Sequence, residues 1–373
     1  MKKIILLKGQ TETLEFFSKR LNIYLKKYGY ETFIYDISLG DEQIDALEEY
    51  TEIGNTVFIT YNFNGISGEK IFLDAKGRLF FDEFYIECIN IVVDHPMYYY
   101  KYYNNLPRMY RQINIDRTHR EYMREYYKEC DADYFIPLCG TRLKRELMPM
   151  RYKKTDVIFT GNFTPCNTFD KYITRIDKEY EDFYRGIIDD LISNNEKTME
   201  QAFNEHLIRE GIDLYVRFYY REKVIGTIAD SGIKINTYGA GYELLKCKKH
   251  ENIIRHGGVN TKGCIDAIYD AKISLNVMPW FKDGAHDRVY TSMLNSAVAL
   301  TDTSRYLAEE YTDGEDICFY NLAHIEQAVE WINRLLSDEE LLERIAASGC
   351  EKTEKTHTFD NVTKELISVI NKR

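Results

Sequence analysis

Two cationic side chains at the start of a predicted helix are the residues best suited to chemistry. Apolar residues 273–278 predict a strand, and a turn at 282–284 separates that strand from a helical pattern. His286 and Arg288 fall in the first turn of this helix, where free backbone N–H groups and the helix dipole already favour an anion. The planar guanidinium of an arginine suits an oxyanion because it offers several hydrogen-bond donors in a fixed geometry. The pattern predicts an anion site at His286 and Arg288, with Lys282 beside it.

A second strand edge follows and offers a carboxylate. Residues 297–300 predict a strand, and the capping run 301–304 after them begins another helix. Because the carboxyl ends of parallel strands meet at one edge of a sheet, this edge and the one before His286 form a crevice. Asp302, the second residue of the capping run, is a candidate ligand-binding carboxylate at this edge.

Both cations also have plain structural explanations. Arg288 could pair with a surface carboxylate, and a single histidine such as His286 is more often structural than functional. Their adjacency at one helix start favours the anion site.

The first half of the chain has its own candidate pair. A continuous apolar run, typical of a buried parallel strand, ends in Asp94-His95. A histidine there titrates near neutral pH, and Asp94 could orient it or act as a base itself. The alternative is that Asp94 and His95 only cap the strand and start a helix. The tyrosine-rich stretch 98–103 is likewise either an aromatic wall for an acceptor or a packing surface.

The elements that must position these residues alternate between strands and helices. Two strand–helix series, separated by a basic irregular span, predict two doubly wound α/β domains, residues 1–150 and 151–352. The first strand–helix turn holds a single glycine, so it does not match the dinucleotide fingerprint. In the second series, glycines follow successive strands and let the backbone approach a ligand, at Gly161-Asn162 and after Tyr238 at Gly239.

Composition narrows the function classes. The formal charge of −11 over 373 residues disfavours a nucleic-acid partner, which needs a broad basic face. Eight scattered cysteines without metal-ligand spacing predict reduced thiols in the cytoplasm and no metal site. There is no apolar run of about 18 residues, so no membrane span is predicted.

Three strings carry a family resemblance: NVMPWFKDGAHDRVY, the TD at 301–302 before a helix, and INTYGAGYE. They resemble the nucleotide-sugar half of GT-B glycosyltransferases, and the CgeB-like (spore-maturation-protein-like) bacterial group is the most similar type. The resemblance implies two Rossmann-like domains facing a cleft, with a C-terminal helix, 353–373, that returns to the first domain. It implies transfer of a sugar from a nucleoside diphosphate sugar to a hydroxyl of a protein or cell-surface glycan. UDP is the expected nucleotide because it is the usual one in such enzymes.

The resemblance also assigns roles, and one position departs from it. Many retaining GT-B enzymes have a glutamate that binds the ribose hydroxyls at the position that Thr291 occupies in this chain. A threonine cannot make that contact, so Asp302 is an alternative ribose partner. Inverting and retaining chemistry both stay open. The predicted catalytic residues are Asp94, His95, His286 and Arg288. The predicted donor-binding residues are Gly161, Asn162, Tyr238, Gly239, Lys282, Asp283, His286, Arg288, Tyr290, Thr301 and Asp302.

No cofactor or metal is expected beyond the nucleotide sugar. The only Asp-x-Asp, Asp131 to Asp133, lies far in sequence from the predicted nucleotide site. Two other classes stay open: an inactive module that only binds a nucleotide sugar, and a GT-B nucleotide-sugar epimerase.

Overall fold

The computed structural model describes residues 1–9, 11–202 and 211–372, which fold into two compact units. The first unit comprises Met1–Pro137 and Phe359–Arg373, and the second comprises Leu138–Thr358. Among the described residues, no helix combines the length and apolar character that crossing a membrane requires.

The first unit is built on a six-stranded parallel sheet in the order β2-β1-β3-β4-β5-β6. Its central strands are buried along their whole length, as expected from continuous apolar runs covered on both faces. The strands are β1 (Lys3–Lys8), β2 (Thr32–Asp36), β3 (Thr56–Tyr61), β4 (Glu87–Val92), β5 (Tyr110–Asn114) and β6 (Tyr134–Phe135). The helices between them are α1 (Glu12–Lys27), α2 (Ile44–Tyr50), α3 (Phe80–Glu83) and α4 (Arg117–Tyr126).

The second unit has another six-stranded parallel sheet, in the order β12-β11-β10-β7-β8-β9. Its strands are β7 (Thr155–Thr160), β8 (Ile235–Tyr238), β9 (Ile253–Arg255), β10 (Ala271–Asn276), β11 (Val298–Asp302) and β12 (Cys318–Tyr320). The helices before β8 are α5 (Asp170–Ile173), α6 (Lys178–Ser193), α7 (Met199–Ala202) and α8 (Ile212–Asp230). The later helices are α9 (Thr261–Tyr269), α10 (Asp287–Leu294), α11 (Arg305–Glu310), α12 (Glu326–Ser337) and α13 (Glu339–Thr356). The predicted pair of Rossmann-like, doubly wound sheets is confirmed.

The units divide at other residues than the sequence predicted. The predicted boundary follows residue 150, but residues 138–150 belong to the second unit. Backbone hydrogen bonds explain the difference, because Gly140 N–H donates to the His357 carbonyl and Thr141 N–H donates to Thr291 Oγ1, at 3.0 and 3.1 Å. The irregular span therefore packs against α10 and does not act as a free linker.

The last helix, α14 (Phe359–Asn371), begins after residue 353, where the returning segment was predicted to start. It packs against α1 of the first unit. The Phe359 ring lies 6.1 Å from that of Phe17, and Tyr28 donates a hydrogen bond of 2.9 Å to Asp360.

Candidate functional site

The order of strands in the second sheet creates a crevice between β7 and β10. These strands pair in parallel although β10 follows β9 in sequence, so the connections run to opposite sides of the sheet at this point. In open α/β sheets, ligands bind at such a switch point, beyond the carboxyl ends of the strands. The loops after β7 and β10 carry Gly161 and the residues leading to Arg288, respectively.

Glycines let the loops after β7 and β8 lie against each other beside this crevice. Gly239 has φ +154°, and a Cβ there would stand 2.2 Å from the Gly161 carbonyl oxygen. Asn162 Oδ1 accepts a hydrogen bond from Ala240 N–H at 3.0 Å and joins the same two loops. Asn162 therefore supports the two loops through its side chain.

Arg288 reaches across the switch point from α10. Its Nε donates to Thr160 Oγ1 at the end of β7, at 2.9 Å, and its Nη1 donates to Asn276 Oδ1 at the end of β10, at 2.8 Å. The guanidinium also lies 5.2 Å from the centre of the Phe159 ring. These contacts hold the guanidinium at the carboxyl ends of the two strands that flank the crevice.

Two further arginines, both on α8, join Arg288. Arg221 lies over the same Phe159 ring, also at 5.2 Å, and donates to the Asn162 carbonyl. Burial, and then the charges of Arg288 and Arg217, lower the pKa of the Arg221 guanidinium to about 10, so it is still charged at neutral pH. We call Arg217, Arg221 and Arg288 the arginine cluster.

The neighbouring Asp287 carboxylate acts electrostatically on Arg288 but forms no ion pair with the arginine cluster. In the part of the chain that the structure describes, none of the three guanidiniums forms an ion pair, and Nε of Arg221 has no hydrogen-bond acceptor although the side chain is only 8% exposed. Gathering three like charges in a buried place is unfavourable unless an anion enters, because each guanidinium loses water and repels the others. The arrangement is therefore suited to an anion.

Arg217 and Arg221 could not be identified as site residues from sequence patterns. They lie in a charged helical stretch that carries no strand signal, far along the chain from Arg288. Their four-residue spacing puts both on one face of α8, but other charged residues of that helix share such spacings.

His286 lies beside the cluster at the residue before α10. Its Nδ1 lies 3.1 Å from Asn276 Oδ1, which also accepts from Arg288. Burial, and then the positive charges of Arg288, Arg217 and Arg221, lower the pKa of His286 well below its usual value. His286 is therefore neutral at physiological pH.

A pocket of about 390 Å³ opens at the carboxyl ends of β10, β11 and β12. Lys282 and Asp302, both predicted donor-binding residues, line it together with Phe281 and Tyr320. The Lys282 ammonium donates to the Asn195 carbonyl, and Asp302 Oδ1 accepts from Met278 N–H at 2.8 Å. The volume of this pocket lies at the lower end of the range found for small-molecule pockets.

Asp302 should make the stability of the protein depend on pH. Burial raises the pKa of its carboxyl from 3.8 to about 7, so the folded protein holds a proton that the unfolded chain releases between these values. The contribution of Asp302 to stability is therefore complete below pH 3.8 and is lost as the pH rises through 7. We expect Asp302→Asn to remove this loss. The melting temperature of the variant should therefore rise relative to that of the wild type as the pH is raised from 4 to 8. Parallel melting curves across this range would contradict the protonation of Asp302.

The structure places several other predicted residues away from the anion site. Tyr290 is a predicted donor-binding residue, but its side chain is fully buried in the core, with the ring stacked on His357 at 4.3 Å. The reason is helical geometry, because a step of two residues from Arg288 turns the side chain through about 200°. Thr301 is also buried and accepts from Asn276 Nδ2 at 2.9 Å, while Asp283 lies 3.4 Å from Arg305. These two side chains support the loops around the pocket.

Tyr238 lies at the end of β8, where its ring stacks on the exposed His256 at 4.2 Å. The pair presents an aromatic surface at the edge of the second sheet. It remains a predicted donor-binding position.

In the first unit, Asp94 is exposed just beyond β4. Asn62 Nδ2 and the Tyr99 hydroxyl both donate to Asp94 Oδ2, at 2.9 and 3.2 Å. Asn62 has a left-handed backbone, with φ +50°, a conformation that non-glycine residues rarely adopt and that often marks functional sites. Asp94 is thus a carboxylate held in place with an open side towards solvent.

His95 has a structural role. Its Nδ1 accepts from Met97 N–H at 3.1 Å, which caps a short 3₁₀ helix, and the buried ring lies 4.6 Å from that of His119. His95 therefore fits the alternative that it caps the strand end and starts a helix. Asp94 remains a candidate base. The tyrosines after it form two 3₁₀ segments, and the rings of Tyr99 and Tyr102 pack on Phe63.

Part of the chain matches a known family model. Residues 221–368 match a family model described as glycosyl transferase-like, which begins at Arg221 and includes Arg288. No curated protein matches the sequence.

Three solved structures are similar in fold. An α-glucosyltransferase, solved with UDP-glucose and DNA containing an abasic site, has TM-score 0.58 and 12% identity over 99% of this chain and 98% of its own. The T4 phage β-glucosyltransferase, solved with UDP-glucose, has TM-score 0.55 and 12% identity over the whole of both chains. TarM of S. aureus has TM-score 0.50 and 12% identity over 88% of this chain, which spans only 57% of the TarM chain. At these identities the likeness shows the fold alone.

The chain therefore has the two-domain fold of GT-B glycosyltransferases, and residues 221–368 match the glycosyl transferase-like family model.

Proposed function

We propose that this protein is a glycosyltransferase that moves a sugar from a UDP-sugar to a hydroxyl of a protein or glycan acceptor. The arginine cluster at the switch point is the observation that carries the proposal. A departing nucleoside diphosphate gains negative charge as the sugar bond breaks, and fixed cations in a poorly solvated crevice stabilise that charge. The finer placement in the CgeB-like group is part of the proposal.

The second unit holds the donor in this scheme. The diphosphate lies on Arg288, Arg221 and Arg217, near the backbone of Gly161 and Gly239. The pocket lined by Lys282 and Asp302 takes a neighbouring part of the donor, with the Asp302 carboxyl as an acceptor for hydroxyl groups.

The first unit supplies the acceptor side. Asp94 acts as the general base that removes the proton of the acceptor hydroxyl, with Asn62 and Tyr99 as its positioning residues. Burial, and then the charge of Asp94, raise the pKa of the Tyr99 phenol, so Tyr99 stays a hydrogen-bond donor. The net charge of −11 supports a protein or glycan acceptor over a nucleic acid.

Incubation with UDP-glucose and other UDP-sugars separates this proposal from its two alternatives. A transferase releases UDP faster when an acceptor mixture is added, an epimerase converts the sugar while UDP stays attached, and a binding module only raises the melting temperature. Mass spectrometry of the nucleotide products, with a melting curve for each donor, distinguishes the three. A donor panel that leaves both the products and the melting temperature unchanged would overturn the proposal.

The arginine cluster should make turnover independent of divalent metal. Three guanidiniums can neutralise the diphosphate without a cation, and the Asp131 and Asp133 carboxylates are engaged by Arg111 and Arg124. We expect UDP release to continue at an unchanged rate in excess EDTA. Loss of turnover on chelation, restored by Mg²⁺ or Mn²⁺, would show that carboxylates and a metal ion hold the diphosphate.

A further inference from the structure

Asn276, the last residue of β10, connects the two candidate site residues of α10. Its side chain is buried, at 1% exposure, and its Oδ1 lies 2.8 Å from Arg288 Nη1 and 3.1 Å from His286 Nδ1. Its Nδ2 donates to Thr301 Oγ1 at 2.9 Å. The backbone is fixed as well, because the Tyr320 hydroxyl donates to the Asn276 carbonyl at 2.7 Å.

These contacts determine which way the Asn276 amide faces. A guanidinium can only donate hydrogen bonds, so the atom beside Arg288 must be the amide oxygen. Thr301 uses its own hydroxyl hydrogen on the Asp302 carbonyl, at 2.9 Å, and therefore accepts from the amide nitrogen. A reversed amide would place a donor against Arg288.

The orientation of the amide in turn fixes the proton on His286. Asn276 Oδ1 carries no hydrogen, so His286 Nδ1 must supply the one between them. His286 is neutral because burial and the arginine cluster disfavour a second proton. A neutral imidazole with its hydrogen on Nδ1 has a lone pair on Nε2.

We propose that Asn276 is a positioning residue that holds His286 as the Nδ1–H tautomer and Arg288 in line with the crevice. His286 then offers Nε2 as an acceptor to a hydroxyl group of the bound ligand. An unprotonated Nε2 cannot donate to a phosphate oxygen, so His286 recognises a sugar or ribose hydroxyl, and the diphosphate is left to the arginines. The identity of the ligand rests on the proposed function, whereas the tautomer does not.

The same unit contains a matched pair with the opposite arrangement. His256 Nε2 lies 2.8 Å from Asn236 Oδ1, and Asn236 Nδ2 donates to the Val157 carbonyl at 3.4 Å. By the same reasoning, neutral His256 carries its hydrogen on Nε2. Asn236→Ala is therefore a control that removes an Asn–His contact without removing a contact of Arg288 or His286.

Two-bond ¹⁵N–¹H spectra of the ligand-free, histidine-labelled protein at pH 8 test the proposal, with His286→Gln to assign the resonance. We expect His286 to show a protonated Nδ1 and an unprotonated Nε2. Asn276→Ala should lose this preference, and Asn276→Asp, which keeps an acceptor in place, should retain it. Asn236→Ala should change only His256. A wild-type His286 protonated on Nε2, or an unchanged tautomer in folded Asn276→Ala, would overturn the proposal.

Turnover gives the second readout. We expect Asn276→Ala to lower kcat by roughly 10–10²-fold, the scale on which misplacing reacting groups acts, with a smaller change in KM for the UDP-sugar. If no UDP-sugar is turned over but the spectra agree, the proposed function fails and the positioning role stands. Wild-type kcat in a folded Asn276→Ala protein would remove the role of Asn276 in catalysis.

Discussion

Replacing Arg288 with alanine should lower the rate of sugar transfer by roughly 10²–10³-fold, the cost of losing one donor to a developing anion. The reason is that Arg288 is fixed by Thr160 and Asn276 at the switch point, so it stabilises the leaving diphosphate without having to move first. The protein should stay folded, because the substitution relieves repulsion with Arg217 and Arg221. Initial rates of UDP release and a melting curve measure the two effects.

Arg334→Ala is a matched control for Arg288→Ala. Arg334 lies 5.2 Å from the Trp331 ring, much as Arg288 lies over Phe159, but it belongs to α12 and not to the crevice. Its loss should leave turnover unchanged. Arg288→Lys should recover only part of the rate, since one ammonium cannot contact Thr160, Asn276 and a phosphate together. Wild-type turnover in folded Arg288→Ala would place the diphosphate elsewhere.

Asp94→Asn should lower turnover by roughly 10²–10⁴-fold, the range for removing a general base. The amide keeps the shape of the carboxylate and its place near Asn62 and Tyr99, but it cannot take up a proton. Affinity for UDP should not change, because the predicted donor site belongs to the second unit. Steady-state rates and calorimetric titration with UDP give the two values.

Asp82→Asn serves as the control for Asp94. Asp82 is a first-unit carboxylate that accepts from Arg108 N–H at 2.8 Å, and its loss should leave the rate of transfer unchanged. His95→Ala should reduce thermal stability, because the ring is buried and caps a helix. If turnover depended on His95 and not on Asp94, the base would be assigned to the wrong residue. Loss of UDP binding in Asp94→Asn would reverse the roles of the two units.

The sequence by itself determined the order of the elements and the place of His286 and Arg288 at the start of a helix. Apolar runs that alternate with amphipathic segments identify buried parallel strands and their helices, because that periodicity is a local property of the chain. The position of Arg288 in the first turn of a helix could also be predicted, because a short stretch of sequence contains both the strand and the start of the helix.

Only the tertiary structure decided which residues gather around Arg288. Arg221 reaches the site because sheet order makes β7 a neighbour of β10, and no periodicity records such a pairing between distant segments. Asn276 became visible as the partner of both His286 and Arg288 only through distances between side chains. Tyr290 lies close to Arg288 in sequence yet faces the core, since the direction of a side chain depends on helix rotation and packing. Local patterns thus fixed what each segment is, and long-range packing fixed which of their side chains meet.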